Sequence, residues 1–441
     1  MVQRQPVNLI DMEQTIFLIG GRKWLEELRI KLLVFLHYKI QFLKGKIKVR
    51  HFFRVLKRLL YFLSKMKENK YVKIGRLTKV NLYVPFFPTK AFYTACDKVT
   101  VFDEKMPSVS VLVSVTSACK FNCEHCYQKY DKGKDVDIEV LIKTVRELQD
   151  KGVAFFNIEG GEPFMVFDRL LRVCQAIDDR SEILINSTGF GMTSERLKIL
   201  RKNKNLMGVM FSLHADTPEK MNAFMGSDEA WLSMEKGIAM CHENNIPVMF
   251  NTCLLPESFK NGTFERILDL EKNFGGCLVQ LIKPKNAGGW LPGQTEKFTA
   301  EDEQIVKEKV TMYNQAKSHI DYPFVYCMLM EEEAEMFGCT AGGTDRFYIN
   351  AKGDLQPCEF LNISFGNIAV DDFDTIYYNM RAVFHTPGQC LLCDKYASDI
   401  YKLHRENGPS NLPLKPELSE QIFANWNRGN PTGFYEKMTK L

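Results

Sequence analysis

Short apolar, β-branched runs alternate with amphipathic helical stretches through the middle of this chain. The runs that predict strands are 109–115, 154–158, 182–186, 208–213, 247–254 and 278–282. The stretches that predict helices between them are 138–151, 167–177, 194–202, 229–244 and 264–274. Strands separated by helices of this length pair in parallel, because a parallel connection needs a long crossover. The pattern therefore predicts an α/β fold, a partial (βα)6 TIM-like barrel with its chemistry at the carboxyl ends of the strands.

The alternation begins near residue 108 and stops after Ala287, which divides the 441 residues into three predicted parts. Residues 1–107 form a basic amphipathic helical segment and a connector rich in Pro and aromatic residues. Residues 108–290 form the barrel. Residues 291–441 form an irregular extension with Gly- and Pro-bearing turns.

Residues 22–79 carry eighteen Lys and Arg but only three Glu, although the whole chain has a net charge of only +4. Apolar residues recur there at helical spacing, with basic residues between them, which predicts one or two amphipathic helices. Such helices can lie in a membrane interface, or they can pack as a cap on the barrel with solvated lysines. The longest uncharged run, 32–38, is far too short to span a bilayer. The sequence therefore leaves open a peripheral contact with the inner face of a membrane, and we expect no nucleic-acid partner.

Thirteen cysteines are present, of which seven fall into spaced groups and six stand singly in apolar or helical surroundings. Grouped cysteines of this kind indicate metal binding in a reducing compartment rather than a disulfide framework. Residues 1–21 lack the charged start, apolar middle and cleavage site of a signal peptide. Both observations predict a cytoplasmic location.

The first cysteine group, Cys119, Cys123 and Cys126, directly follows the first predicted strand. Three thiolates within eight residues can hold three corners of a four-iron cluster, which leaves the fourth iron open to a ligand. Zinc is the alternative, but it needs a fourth ligand, and His125 lies where the loop would have to fold back sharply. The spacing favours an iron–sulfur cluster without excluding zinc.

This C-x3-C-x2-C spacing after the first strand, together with the motifs that follow it, resembles the radical S-adenosylmethionine (SAM) superfamily over about residues 108–288. The run from Gly160 to Pro163 resembles the family's GGE motif, which receives the methionine amino group. Residues 186–189 resemble a TNG-like turn, and residues 211–215 end a strand where similar enzymes contact the ribose or carboxylate of SAM. The resemblance implies that SAM is bound by Gly160, Gly161, Glu162, Pro163, Asn186, Ser212 and His125.

The second cysteine group comprises Cys339, Cys358, Cys390 and Cys393. Four thiolates can saturate an auxiliary [4Fe–4S] cluster, and the arrangement resembles the shorter, twitch form of the auxiliary-cluster extension of radical SAM enzymes. Because no cysteine follows Cys393, we expect one auxiliary cluster rather than the two of the longer SPASM form. Zinc remains the alternative here, since C-x2-C is also a zinc signature. Cys327 is a candidate to replace one of the four ligands.

The resemblance implies an enzyme that reductively cleaves SAM to a 5′-deoxyadenosyl radical and then oxidises or cyclises a substrate, helped by the auxiliary cluster. A reductase or a flavodoxin- or ferredoxin-type protein would supply electrons. The sequence identifies no catalytic residue. His214, Asp216, Lys283 and Lys285 lie near strand ends, as candidates for substrate contact or as structural residues.

Three functional hypotheses follow. The basic segment suggests a lipid or lipid-linked substrate. A peptide-modifying enzyme, of the kind that matures ribosomal peptides or sulfatases, is the alternative, although residues 1–100 do not resemble a leader-peptide-binding domain. An iron–sulfur electron-transfer protein or a zinc-binding adaptor without turnover is the hypothesis from outside the enzymes.

Overall fold

The computed structural model describes residues 15–99, 107–291, 293, 297–385, 387–407 and 412–441. Its strands are β1 Thr15–Leu18, β2 Tyr71–Ile74, β3 Leu77–Lys79, β4 Ser110–Ser114, β5 Phe155–Glu159, β6 Glu182–Ser187, β7 Leu206–Ser212, β8 Val248–Cys253, β9 Leu278–Ile282, β10 Phe324–Cys327, β11 Tyr348–Ile349 and β12 Leu355–Gln356. Its helices are α1 Gly20–Leu43, α2 Val49–Lys65, α3 Lys90–Val99, α4 Ile138–Asp150, α5 Phe167–Ala176, α6 Ser194–Leu200, α7 Pro218–Met225, α8 Ala230–Glu243, α9 Thr263–Asn273, α10 Ala300–Gln315, α11 Met328–Glu331, α12 Phe373–Val383, α13 Leu392–Lys395, α14 Ala397–Glu406, α15 Pro416–Phe423 and α16 Gly433–Lys440.

The large sheet has the strand order β10-β9-β8-β7-β6-β5-β4-β11-β12. The six predicted strands β4 to β9 are all present and parallel, each separated from the next by one or two helices, which confirms the predicted partial barrel. Their carboxyl ends meet at one edge, so the loops that follow β4, β5, β6 and β7 lie close together. The first cysteine group and the predicted SAM motifs are on these loops.

The prediction that the alternation stops after Ala287 is wrong. Helix α10 and strand β10 continue it, and β10 pairs in parallel with β9. β10 is only four residues long, and a connection of more than fifteen residues separates β9 from α10, which hid the seventh unit from periodicity. At the other edge, β11 pairs in parallel with β4 and in antiparallel with β12. The division at residues 107 and 290 stays a prediction.

The N-terminal unit, residues 15–79, contains the predicted basic helices as α1 and α2, and in addition a three-stranded antiparallel sheet of β1, β2 and β3. The hairpin of β2 and β3 was not predicted, because basic residues interrupt its short apolar alternation. Among the described residues, no helix is both long enough and apolar enough to cross a membrane.

The N-terminal unit closes the amino end of the barrel. Val72, Ile74 and Leu77 of the hairpin belong to one buried cluster with the first residues of several barrel strands, among them Phe155, Leu278 and Phe324. A buried ion pair adds to this contact, since Lys79 Nζ lies 3.5 Å from Glu182 Oε2 and both side chains are 1% exposed. The unit therefore packs on the barrel as the cap interpretation expects, and the carboxyl end remains for the chemistry.

Candidate functional site

A cavity of about 230 Å³, here called the reaction cavity, lies at the carboxyl ends of the barrel strands. It brings together all three cysteines of the first group with most of the predicted SAM contacts. The predicted residues that line it are Cys119, Cys123, Cys126, His125, Gly160, Gly161, Asn186 and Ser212. Glu162 and Pro163 are not among its lining residues.

The loop that carries the first cysteine group is enclosed by glycines from three other segments. A Cβ on Gly161 would overlap the carbonyl oxygen of Ala118, and a Cβ on Gly289 would overlap that of Glu124. Gly226 and Gly288, which both have positive φ, approach the carbonyls of Asn122 and Cys126 just as closely. Gly289 also donates its N–H to the carbonyl of Cys126 at 3.0 Å. Only glycine permits backbone to approach this closely, so these contacts fix the conformation of the cysteine loop.

We expect Gly289→Ala to lower SAM cleavage at least tenfold, because the new Cβ must displace the cysteine loop. Iron content should fall with it, which iron and sulfide analysis after anaerobic reconstitution would measure. Gly21→Ala is the matched control, since a Cβ at Gly21 meets nothing within 4 Å. Normal iron content and normal SAM cleavage in Gly289→Ala would show that the loop does not depend on this contact.

Burial raises the pKa of the Cys119 thiol to about 11 and that of Cys123 to about 12, and it also raises the pKa of Cys126. Because the thiolate is the form that binds metal, cluster assembly must release these protons. Within the described residues, no three His, Cys, Asp or Glu side chains come close enough to share a single metal ion.

His125 lies in an aromatic environment. Its ring stacks on Phe224 with the centroids 4.4 Å apart, and His214 and Trp290 lie within 5.6 Å of it. Burial lowers the pKa of His125 to about 4, so its ring is neutral. Its buried Nδ1 has no hydrogen-bond partner among the described residues, which leaves this atom for a ligand in the cavity.

Glu162, for which a contact with the methionine ammonium is predicted, is held by hydrogen bonds within the protein. Its carboxylate is 1% exposed and accepts four hydrogen bonds, from the backbone of Phe164, the hydroxyl of Ser187, and both the backbone and the hydroxyl of Thr188, at 2.6–3.1 Å. A contact with SAM would have to displace one of these donors. Glu162 therefore positions the turn after β6.

We expect Glu162→Ala to weaken SAM binding at least tenfold and to leave the iron content unchanged. Hydrogen bonds to a charged group contribute about 1.5–3 kcal/mol each, and the turn at residues 187–188 loses all of its bonds to this carboxylate. Equilibrium binding of SAM to the reconstituted protein measures the effect. Glu162→Gln should show a smaller loss, because the amide keeps the shape but accepts fewer bonds. Unaltered SAM affinity in Glu162→Ala would remove this positioning role.

Three asparagines, one each from β5, β6 and β8, face the reaction cavity. The side-chain oxygens of Asn157, Asn186 and Asn251 are buried and have no partner among the described residues. Buried acceptors are normally satisfied, so they fit a ligand that is rich in N–H and O–H donors, as SAM is. Sequence analysis did not identify Asn157 or Asn251 as site residues. Asn251 pairs in register with Gln280, so alternation along β8 and β9 was the available signal.

Glu159 was also missed. Its carboxylate accepts from the hydroxyl of Tyr127 at 2.5 Å and from Asn186 at 3.3 Å. Burial, helped by the negative charge of Glu359, raises the pKa of Glu159 to about 8. The group therefore holds a proton at neutral pH, inside the cavity.

The four candidates for substrate contact divide into two pairs. His214 and Lys285 line the reaction cavity. His214 accepts at Nδ1 from the backbone of Cys253, and Lys285 forms an ion pair with Glu332 at 2.5 Å. Asp216 instead pairs with Lys220 and Arg266, and Lys283 pairs with Glu303, so each has a structural partner at the surface.

Basic and acidic side chains both lie beside the second cysteine group, and Glu359 Oε2 is 3.0 Å from Cys358 Sγ. Arg346 lies 4.0 Å from Cys358 Sγ, and Lys395 lies 3.8 Å from Cys390 Sγ. The charge of Lys285 lowers the pKa of Cys393, although burial raises it more strongly. Positive charges of this kind suit a site that holds several thiolates. Cys327 ends β10 and is buried in the main core.

The comparison with known protein families agrees with the geometry of the site. Residues 113–270 match the radical SAM superfamily, so the chain contains a radical SAM domain, as the cysteine and glycine motifs predicted. It is therefore an enzyme, whose cofactors are a [4Fe–4S] cluster and SAM, and the adaptor hypothesis is not supported.

The relatives differ in what they do. The chain is 26% identical over 262 residues to GTP 3′,8-cyclase of Clostridium perfringens, covering 56% of this chain and 79% of the cyclase. It is 23% identical over 286 residues to the sporulation killing factor maturation protein SkfB of Bacillus subtilis, covering 62% of this chain and 65% of SkfB. The crystal structure of Streptococcus suis SuiB bound to S-adenosylmethionine shares the fold, with a TM-score of 0.52, 18% identity and coverage of 71% and 78%.

Proposed function

We propose that this enzyme holds its cluster through Cys119, Cys123 and Cys126 and binds SAM in the reaction cavity, and that it oxidises or cyclises a substrate there. The observation that carries the proposal is the reaction cavity itself. It joins the three cysteines to a glycine turn and to a set of unpartnered buried amides at the carboxyl ends of parallel strands.

A reduced cluster and SAM bound in this cavity would supply the radical chemistry that removes a hydrogen atom from the substrate. The residues of the chain position the reactants and exclude water. Gly160 and Gly161 let the backbone approach SAM, and Asn157, Asn186 and Asn251 accept hydrogen bonds from it. The apolar cluster under the cavity and the N-terminal unit close the far end of the barrel to solvent.

We further propose that the second cysteine group holds one auxiliary [4Fe–4S] cluster, which supplies a one-electron acceptor. Arg346 supports this assignment because it contacts both sites. Its guanidinium lies 4.0 Å from Cys358 and 3.2 Å from the hydroxyl of Tyr83, which lines the reaction cavity. An external reductase or flavodoxin- or ferredoxin-type protein would supply the first electron.

The test is anaerobic reconstitution followed by reduction with dithionite in the presence of SAM. The intact enzyme should hold about eight irons, from two four-iron clusters, and should produce 5′-deoxyadenosine. The Cys390→Ala, Cys393→Ala double variant should keep about four irons and still cleave SAM. Zinc in place of iron at the second group, or no 5′-deoxyadenosine from the intact enzyme, would contradict the corresponding part of the proposal.

We also propose that the enzyme works at the surface of an anionic membrane, which it contacts through the outer side of α1 and α2. Helix α1 is apolar on two opposite faces. Ile30, Val34 and Tyr38 are buried against the protein. The opposite face exposes large apolar side chains to solvent: Trp24, Leu25, Leu28, Leu32, Phe35, Leu36, Phe42 and Leu43 are 39–71% exposed. A contiguous exposed patch of this kind marks an interaction surface.

The charges beside this patch select the partner. The exposed side of α2 combines the apolar Val49, Phe53 and Leu60 with the basic Arg50, Arg54 and Lys57. Residues 20–65 contain thirteen Lys and Arg and only two Glu, and one of these, Glu26, is buried. An apolar face flanked by basic residues suits the headgroup region of an anionic bilayer. On this basis a lipid or lipid-linked molecule is the first candidate substrate.

A peptide substrate is the second candidate, and the similarity to the maturation protein SkfB favours it. Transfer of deuterium from a labelled substrate to 5′-deoxyadenosine distinguishes the lipid candidate from the peptide candidate. Incubation with deuterated membrane lipids or with deuterated peptides would label 5′-deoxyadenosine only when the true class of substrate donates the hydrogen atom. Label from peptides alone would remove the lipid candidate.

A further inference from the structure

A second cavity, of about 190 Å³, lies apart from the reaction cavity, between helices α2, α3 and α16 and the start of β4. Its volume exceeds that of an engineered apolar cavity of about 150 Å³ that stays dry and binds benzene. The walls are mainly apolar side chains from these helices, including Val55, Leu59, Phe92, Ala95, Phe434 and Met438. Of these only Leu59 is more than 9% exposed, so this part of the wall is formed by side chains of the protein interior.

One part of the lining is polar and incompletely satisfied. Glu331 Oε2 and Arg346 Nε are buried, line the cavity, and have no hydrogen-bond partner among the described residues. Burial raises the pKa of Glu331 to about 8, so its carboxyl is neutral at pH 7 and can donate a hydrogen bond. Buried polar atoms without partners are costly, and an oxygen atom of a ligand would satisfy either donor.

Helix α2 connects this cavity with the proposed membrane surface. Val55 and Leu59 line the cavity, whereas Phe53 and Leu60 of the same helix are exposed on the outer side, 54% and 48% respectively. Phe62 of α2 also lines the cavity, and both Leu59 and Phe62 are half-buried. A molecule that leaves the bilayer has only the thickness of one helix to pass before it reaches the cavity.

We propose that the second cavity binds a single-chain lipid, a long-chain alcohol or acid taken up from the bilayer, with its oxygen toward Glu331 and Arg346 and its chain along the apolar walls. Uptake of the lipid from the bilayer depends on the membrane contact proposed above. Binding of the lipid in the cavity does not depend on that contact. Neither depends on radical chemistry, because the walls contain none of the cysteines of either group. The lipid is not the substrate, because the two cavities share Tyr83 alone among their described lining residues.

The test is competition between a fluorescent fatty acid and saturated alcohols or acids of 6 to 16 carbons, on the reconstituted full chain without vesicles. Affinity should rise about fourfold for each added methylene and stop rising at the length that fills the cavity. Dodecane, which lacks the oxygen, should bind at least tenfold more weakly than dodecan-1-ol. An absence of saturable displacement would overturn the proposal. So would affinity that still rises at 16 carbons, because that is partition onto the exposed face of α1.

Variants locate the site. Ala95→Phe fills part of the cavity and should move the plateau to shorter chains and lower the affinity for the longest at least tenfold. Val55→Phe is the second filling variant, and circular dichroism and iron content show whether each is folded. Glu331→Leu should remove the preference for the alcohol over the alkane. Leu28→Ser, on the outer face of α1, is the control and should change none of these values. Wild-type binding by both folded filling variants would place the lipid elsewhere and overturn the proposal.

Discussion

Replacing Cys119, Cys123 and Cys126 together by alanine should abolish reductive cleavage of SAM and lower the iron content from about eight to about four atoms. These thiols are the predicted ligands of three irons in one cluster, so the triple variant leaves that cluster no protein ligand. The fold should survive, because glycine contacts to backbone atoms, and not the thiols, hold the loop. Formation of 5′-deoxyadenosine and iron analysis are the measurements.

Cys241→Ala is the control for this experiment, because Cys241 is buried in α8 away from both cysteine groups and should change neither value. The remaining four irons should belong to the second cysteine group and disappear when Cys390 and Cys393 are also replaced. Full SAM cleavage by the triple variant would refute the assignment of the first group.

Reversing three charges on α2, with Arg50→Glu, Arg54→Glu and Lys57→Glu, should weaken binding to phosphatidylserine-containing vesicles at least about a hundredfold. Each Lys or Arg near an anionic surface contributes about 1 kcal/mol, and the new carboxylates are repelled by the same surface. Co-sedimentation with the vesicles at low salt measures the loss of binding. High salt should also weaken the binding of the intact enzyme to these vesicles.

The control reverses Lys198, Lys202 and Lys204, which are exposed in and after α6 and should leave binding unchanged. Leu25→Ser, Leu28→Ser and Leu32→Ser test the apolar part of the surface and should reduce the weaker binding to neutral vesicles. Equal recovery of the intact enzyme with and without anionic lipid would remove the membrane proposal, and so would an equal loss in the control.

The sequence predicted the parts of the site that depend on local spacing. Two such motifs can be recognised from the sequence alone: the three cysteines within eight residues, and the two adjacent glycines after the next strand. The structure brings them to one cavity. Glu162 shows the limit of such reasoning. Its motif was visible, but the four donors that occupy its carboxylate come partly from a turn more than twenty residues later, which spacing cannot reveal.

The elements that the sequence missed are short and depend on tertiary pairing. β11 and β12 have two residues each, and β10 has four, so they offer too few residues for an alternation to be detected. Asn157 and Asn251 gain their significance only because the sheet turns them into the same cavity. Helix α1 gave a weak signal of amphipathic character because it is apolar on both faces, and only the fold shows which face is left exposed.

The ion pair of Lys79 with Glu182 has a consequence for how this protein can be divided. A shortened chain that begins near residue 80 would leave the Glu182 carboxyl buried without Lys79 and would expose the apolar barrel residues, among them Phe155, Leu278 and Phe324, that Val72, Ile74 and Leu77 cover. Such a fragment should aggregate whether or not the intact enzyme touches a membrane, so truncation cannot separate the two interpretations of the basic segment. A chimera that joins residues 15–79 to another barrel should fail to fold for the same reason. In the sequence this segment resembles a separable N-terminal extension, but in the structure it covers the amino end of this particular barrel.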